Sequence, residues 1–156
     1  MFKTLRICVS LLLILSVVAL AADEPLIGTW KLNVVKSKFD PGPPPKSITL
    51  KYESTGPNTV KRIQDIVRAN GEPNHDEISY TFDGKEYPVA NSQASDALMT
   101  RHIDAYTTEL IFKKGGKLVR TVRRVVSKDR RTLTITDKGV DAQGRSHSTF
   151  EVYDKE

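Results

Sequence analysis

The chain has 156 residues, 24 basic and 19 acidic, a net charge of +5 and a single cysteine, Cys8. Basic and acidic residues alternate along most of its length, which excludes the cationic stripe of a nucleic-acid binder. One cysteine excludes an internal disulfide and a Cys-based metal site.

Lys3 and Arg6 precede an almost wholly apolar run over residues 7–20, and Ala19-Leu20-Ala21 supplies a small-x-small cleavage site. That order predicts a secretory signal peptide over residues 1–22. The run is too short for a bilayer span. Cys8 stands at the wrong end of it for a lipidated cysteine. Cleavage leaves residues 23–156 as one domain, with 22 basic against 19 acidic residues and a charge of +3. The expected product is exported, periplasmic or extracellular, with no membrane span, no thiol and a monomeric state.

In chain order, residues 27–33 alternate around Trp30 and Leu32 and predict a first strand. Residues 35–40 read as a connector. Pro41-Gly42-Pro43-Pro44-Pro45 cannot donate to a ladder and reads as a stiff loop. Residues 46–53 place Ile48, Leu50 and Tyr52 on one face. Residues 59–68 follow as a third strand of mixed polarity, after the turn Gly56-Pro57-Asn58. Residues 77–82 place Ile78, Tyr80 and Phe82 on one face. Asp83-Gly84 is a hairpin signal, with residues 85–90 returning from it. Residues 98–104, 107–113, 117–126, 131–136 and 146–153 complete ten strands, with Gly115-Gly116 and Lys128-Asp129-Arg130 as turns. No stretch has helical period. Ten short strands between turn signals predict an all-β, single antiparallel up-and-down barrel. The longer connections, at 40–46, 70–75, 91–96 and 139–144, fall at one end. That gives a cup with a mouth and a closed base, and Trp30 plugs the base.

Gly28-Thr29-Trp30-Lys31-Leu32, with Phe39-Asp40 beyond it, is similar to the opening of fatty-acid-binding proteins. Gly28-x-Trp30 also resembles the lipocalin signature. Phe82-Asp83-Gly84-Lys85-x-Tyr87-Pro88 and Val152-Tyr153-Asp154-Lys155 resemble features of exported bacterial lipocalin-like proteins. The resemblance implies a calycin barrel that holds a small apolar or amphipathic ligand. There are two departures. The proline run occupies the place of the helical lid those proteins carry. Glu151 stands where their carboxylate-gripping Arg-x-Tyr pair has arginine, before Tyr153.

Period-two spacing sets Arg101 on a face with Met99 and Ile103, and Arg120 and Arg124 on a face with Leu118, Val122 and Val126. A buried arginine is costly unless paired, and its fork suits a carboxylate or phosphate. The expected site is therefore an anionic head at Arg101 and Arg120, with an apolar body resting on Phe112, Tyr80 and Tyr52. Arg124 is assigned to stacking over Trp30, the structural role an arginine has in lipocalin-type barrels. Asp65, between Ile63 and Val67, could neutralise an interior arginine without any ligand. If the eighth strand turns its other face inward, Arg123 enters instead of Arg120 and Arg124.

Catalytic patterns are weak. His75, His102 and His147 lack metal-ligand spacing. His102-x-Asp104 reads as a surface pair, and Ser92 and Ser95 as loop residues. The reading is a non-enzymatic binding protein without metal or cofactor. One alternative is an interaction or inhibitor module with a filled barrel core. The other, an enzyme on a lipocalin-like barrel, would require a His and a carboxylate apposed in a cleft.

Overall fold

The computed structural model describes residues 24–89 and 92–156. The expected signal segment lies outside them. Eleven strands form: β1 (Gly28–Leu32), β2 (Lys38–Asp40), β3 (Ser47–Gly56), β4 (Thr59–Val67), β5 (Pro73–Thr81), β6 (Glu86–Pro88), β7 (Ala97–Asp104), β8 (Thr107–Lys114), β9 (Lys117–Val126), β10 (Thr132–Val140) and β11 (Ser146–Lys155). They make one curled antiparallel sheet in the order β5-β4-β3-β1-β11-β10-β9-β8-β7-β6, with β2 also paired to β11. The predicted all-β up-and-down barrel is borne out, with β2 as an eleventh, three-residue strand.

Strand β2 arises because the first strand is interrupted. Residues Val34–Lys36 form a single 3-10 turn whose N-cap is Asn33. The Ser37 hydroxyl donates to Asn33 O at 2.7 Å and accepts from Val152 N at 2.9 Å. The chain therefore bulges out and rejoins the same neighbour, β11, as β2. Residues 41–46, the proline-rich loop, then carry it back to β3, where Lys46 N donates to Val67 O at 2.8 Å. No helix covers the mouth among the described residues.

The tight turns use residues that tolerate a positive φ. Asn58 (53°) closes β3–β4, and Gly115 (54°) and Gly116 (75°) close β8–β9. Asp83-Gly84 departs from the expected hairpin. Strand β6 does not pair with β5; it pairs with β7. Gly84 N donates to Thr100 O at 3.0 Å, and Asp83 accepts from Lys85 N and from the Tyr87 hydroxyl. These bonds draw the turn toward β7. The wall is thus seamed between β5 and β6, and the Thr100 hydroxyl, donating to Thr81 O at 2.7 Å, ties one end of the seam.

The base is packed solid. Trp30 is wholly buried, with Leu26, Leu133 and Tyr153 at 1% exposure or less. The indole N–H donates to Leu26 O at 2.9 Å, so its polar atom is satisfied in the core. Lys155 covers the indole from outside, with Nζ 4.9 Å from the ring centroid and donating to Ile27 O. Arg124 does not perform that stacking, contrary to expectation. Truncating a buried tryptophan costs about 3–5 kcal/mol. Trp30→Ala should therefore lower the denaturant midpoint sharply in equilibrium unfolding; an unchanged midpoint would refute the plug.

Candidate functional site

Inward-facing residues alternate along each strand and enclose a cavity of about 300 Å3. Strand β3 contributes Ile48, Leu50 and Tyr52; β4, Arg62, Gln64 and Ile66; β5, Tyr80. Leu110 and Phe112 come from β8, Arg120, Val122 and Arg124 from β9, Ile135 and Asp137 from β10, Glu151 and Tyr153 from β11. Four of the five residues expected at a ligand, Tyr52, Tyr80, Phe112 and Arg120, meet here.

Arg101 does not. Leu98 and Thr100 are buried at 7% and 2%, which fixes the inward phase of β7 and turns Arg101 outward. There it forms a salt bridge with Glu109, at 3.0 Å from Nε and 2.6 Å from Nη2. Apolar residues occur on both faces of β7, since Met99 and Ile103 share the outer one, so alternation alone misplaces it. Asp65 is corrected for the same reason. Val60, Arg62, Gln64 and Ile66 face inward, and Asp65 pairs on the outside with His75 at 2.6 Å. On β9 the inner face carries Arg120 and Arg124, while Arg123 is exposed. A register shift opposite Phe112 and Lys113 releases Leu118 from that face, leaving it 63% exposed. Gly139 lies against this bulge. A Cβ there would stand 2.6 Å from Val119 O and 2.8 Å from Arg120 Cβ, so only glycine lets β10 approach.

The charged side chains divide into two tiers. Toward the mouth, Arg120 grips Asp137 through Nε at 2.8 and 3.1 Å and through Nη2, and lies 5.0 Å over the Phe112 ring. His147 Nε2 is 3.0 Å from the same carboxylate. Glu151 stands beside them, accepting from the Tyr153 hydroxyl at 2.7 Å and from Thr149 at 3.4 Å. Burial pushes the Glu151 carboxyl up. The Tyr153 hydroxyl is also raised, by burial and then by the Glu151 charge.

Deeper in the lumen, Arg62 Nη2 is 2.5 Å from Asp76, whereas Arg124 has no carboxylate. Arg124 is 3% exposed. Its guanidinium lies 4.8 Å from the Tyr80 ring centroid and 5.4 Å from that of Tyr52, and Nη2 donates to the Tyr80 hydroxyl at 3.2 Å. Arg124 Nε and Nη1, Arg62 Nε and the Tyr52 hydroxyl have no hydrogen-bond partner among the described residues. Burial pushes the Tyr52 hydroxyl up, so it stays protonated and able to donate. Three guanidinium nitrogens and a phenol around the lumen are thus buried with no acceptor among the described residues. Each buried unsatisfied group costs about 1–3 kcal/mol, more when charged. The sequence signal for Arg62 was equivocal because both faces of β4 carry apolar residues. Asp137 continues the Leu133-Ile135 face one residue beyond the strand expected over 131–136, because β10 runs on to Val140.

Other features are less organised. A larger open groove of about 820 Å3 lies outside the base, between residues 24–27 and the β3–β4 turn. None of the buried unpartnered polar atoms belongs to its lining. His102 packs on Phe82, with ring centroids 4.6 Å apart, and its Nε2 is 3.4 Å from Glu24; it does not pair with Asp104. Asp104 instead accepts from Tyr106 N. Ser92 Oγ accepts from Ser95 N within their loop. No group of three or more metal-ligating side chains occurs among the described residues, and no helix there is long and apolar enough to cross a membrane.

The mouth tier makes the fold acid-sensitive. Burial pushes the Asp137 carboxyl up, but the Arg120 hydrogen bond and charge, with His147, outweigh it and hold the group below the usual carboxylate range. A depressed folded-state value stabilises above the unfolded value of about 4, and that contribution is lost as pH falls through the folded value. Asp137→Asn should lower the urea midpoint near pH 7 and approach the native midpoint near pH 2. An equal deficit at both pH values would contradict the assignment.

No protein-family model matches the sequence, and no curated protein sequence matches it. Solved structures do resemble the fold. The fluorescent protein UnaG superposes with a TM-score of 0.58 at 12% identity, over 85% of this chain and 98% of that one. A Schistosoma mansoni fatty acid binding protein in complex with arachidonic acid gives 0.57 at 12% identity, over 85% and 96%. The zebrafish ileal bile acid-binding protein complexed with cholic acid gives 0.53 at 12%, over 85% and 99%. The chain therefore shares the antiparallel β-barrel fold of these structures.

Proposed function

We propose that the chain is an exported, non-catalytic binding protein of the lipocalin and fatty-acid-binding kind. On this reading residues 1–22 are its signal peptide, and a small molecule is held in the lumen with its anionic or hydrogen-bond-accepting group on Arg124. The observation that carries this reading is the buried, carboxylate-free guanidinium of Arg124, flanked by the unpartnered Tyr52 hydroxyl and Arg62 Nε. A carboxylate or similar oxygen pair would satisfy these donors at once. Leu50, Leu110, Val122 and Ile135 supply apolar wall, and burying ligand surface there contributes roughly 25 cal/mol per Å2. The cavity is at the small end of ligand pockets, which favours a compact ligand over a long acyl chain. The partners of the similar structures, arachidonic acid and cholic acid, also carry a carboxylate at one end.

Arg120, the anion partner expected from sequence, is committed to Asp137 and holds the mouth tier together instead. Among the described residues, His147 and Asp137 form the one His–carboxylate contact in the lumen. Asp137 is shared with Arg120, and His147 has no other hydrogen-bond partner among the described residues, so the pair reads as a structural clasp.

The test uses the anionic dye 8-anilinonaphthalene-1-sulfonate as probe. Charge-assisted hydrogen bonds contribute about 1.5–3 kcal/mol, so Arg124→Gln should weaken dye binding by at least about tenfold. Arg101→Gln, on the outer wall, should leave it unchanged. Equal affinity in native protein and Arg124→Gln would refute the anchor.

A further inference from the structure

We infer that the ligand is amphoteric, carrying a cationic or N–H-donating nitrogen that meets Glu151 as well as the acceptor group that meets Arg124. This rests on the lumen-binding reading above and specifies the class of molecule bound.

The charges of the lumen do not cancel tier by tier. Arg62 is matched by Asp76 and Arg120 by Asp137. Two groups remain, the Arg124 guanidinium in the deeper tier and the Glu151 carboxylate nearer the mouth. Glu151 has no Arg, Lys or His within ion-pair distance among the described residues; its hydrogen bonds come from two hydroxyls, those of Tyr153 and Thr149. A carboxylate offers about four acceptor positions, so at least two remain for a ligand. The lumen thus carries one unmatched guanidinium, Arg124, and one unmatched carboxylate, Glu151, among the described residues.

Strand register sets the span. Arg124 lies opposite Ile135 on β10, and Ile135 lies opposite Glu151 on β11. The two Cα atoms are therefore two strand spacings apart around the wall, roughly 10 Å, and both side chains project into the lumen. Both residues line the same cavity, so opposite charges on one small molecule can address them together. The rings of Tyr52, Tyr80 and Phe112 line the cavity beside them, and aromatic faces also favour a cationic nitrogen. A simple fatty acid would satisfy Arg124 and leave Glu151 facing hydrocarbon, a desolvation penalty without compensation. The glutamate in place of arginine before Tyr153 is then a change of ligand class.

The test is calorimetric titration of the exported chain with phenyl, indolyl and naphthyl compounds, each ring in three charge forms. These are the amino acid (as in phenylalanine, tryptophan and naphthylalanine), the arylpropionate lacking the amine, and the arylethylamine lacking the carboxylate. The expected result is that an amino acid form binds at least about tenfold tighter than its two relatives. Glu151→Gln, a near-isosteric change checked for an unaltered melting temperature, should reduce it to the level of the arylpropionate. Arylpropionates that bind as tightly as the amino acids, depend on Arg124 and ignore Glu151→Gln would overturn the amphoteric class and leave the lumen-binding reading standing. Binding by no compound, or binding indifferent to Arg124→Gln, would overturn both.

Discussion

A guanidinium sealed in a barrel without a counter-charge is the constraint on which this structure turns. Arg124 is almost fully buried, rests on two tyrosine rings and meets a single protein acceptor, the Tyr80 hydroxyl. Removing such a charge from water costs several kcal/mol unless something compensates. The protein supplies part of this through the faces of Tyr52 and Tyr80 and leaves the rest unmet. An unmet buried donor is poor design for stability, and it is what a binding site requires.

The remaining architecture holds that group in place. Trp30, Leu133 and Tyr153 fill the base with closely packed apolar and aromatic surface, and Lys155 covers it from outside. Nearer the mouth, Arg120, Asp137 and His147 on the adjacent strands β9, β10 and β11 satisfy one another. The β9 bulge, made possible by Gly139 on β10, accompanies the turn of Leu118 out to solvent while Arg120 stays within. Arg120 and Arg124, four residues apart on one strand face, therefore have opposite fates. One is neutralised by Asp137, and the other has no carboxylate partner among the described residues.

The strand count and the barrel were legible because turn residues and period-two apolar faces repeat along the chain. Trp30 was legible as a plug because it sits in the first strand, at the base end of the cup. Inward phase was legible only where one face is clearly more apolar, as in Ile48-x-Leu50-x-Tyr52. On β7 and β4 both faces carry apolar residues, so Arg101 and Asp65 were turned the wrong way and Arg62 was missed. The Asp83-Gly84 turn looked like a hairpin because its dipeptide is right; side-chain bonds from Asp83 and the pull of Thr100 decide against pairing. No local pattern could tell that Arg120 would find Asp137 while Arg124 would not, since that depends on a partner two strands' worth of sequence away.

The measurement that bears most directly on Arg124 as a ligand anchor is native mass spectrometry of the chain purified gently from cells that produce it, beside the Arg124→Gln variant. The native protein should carry a non-covalent adduct on the order of a few hundred daltons, in keeping with a pocket of this size, lost on denaturation and missing from the variant. An adduct retained equally by Arg124→Gln, or a bare mass for both proteins, would contradict it.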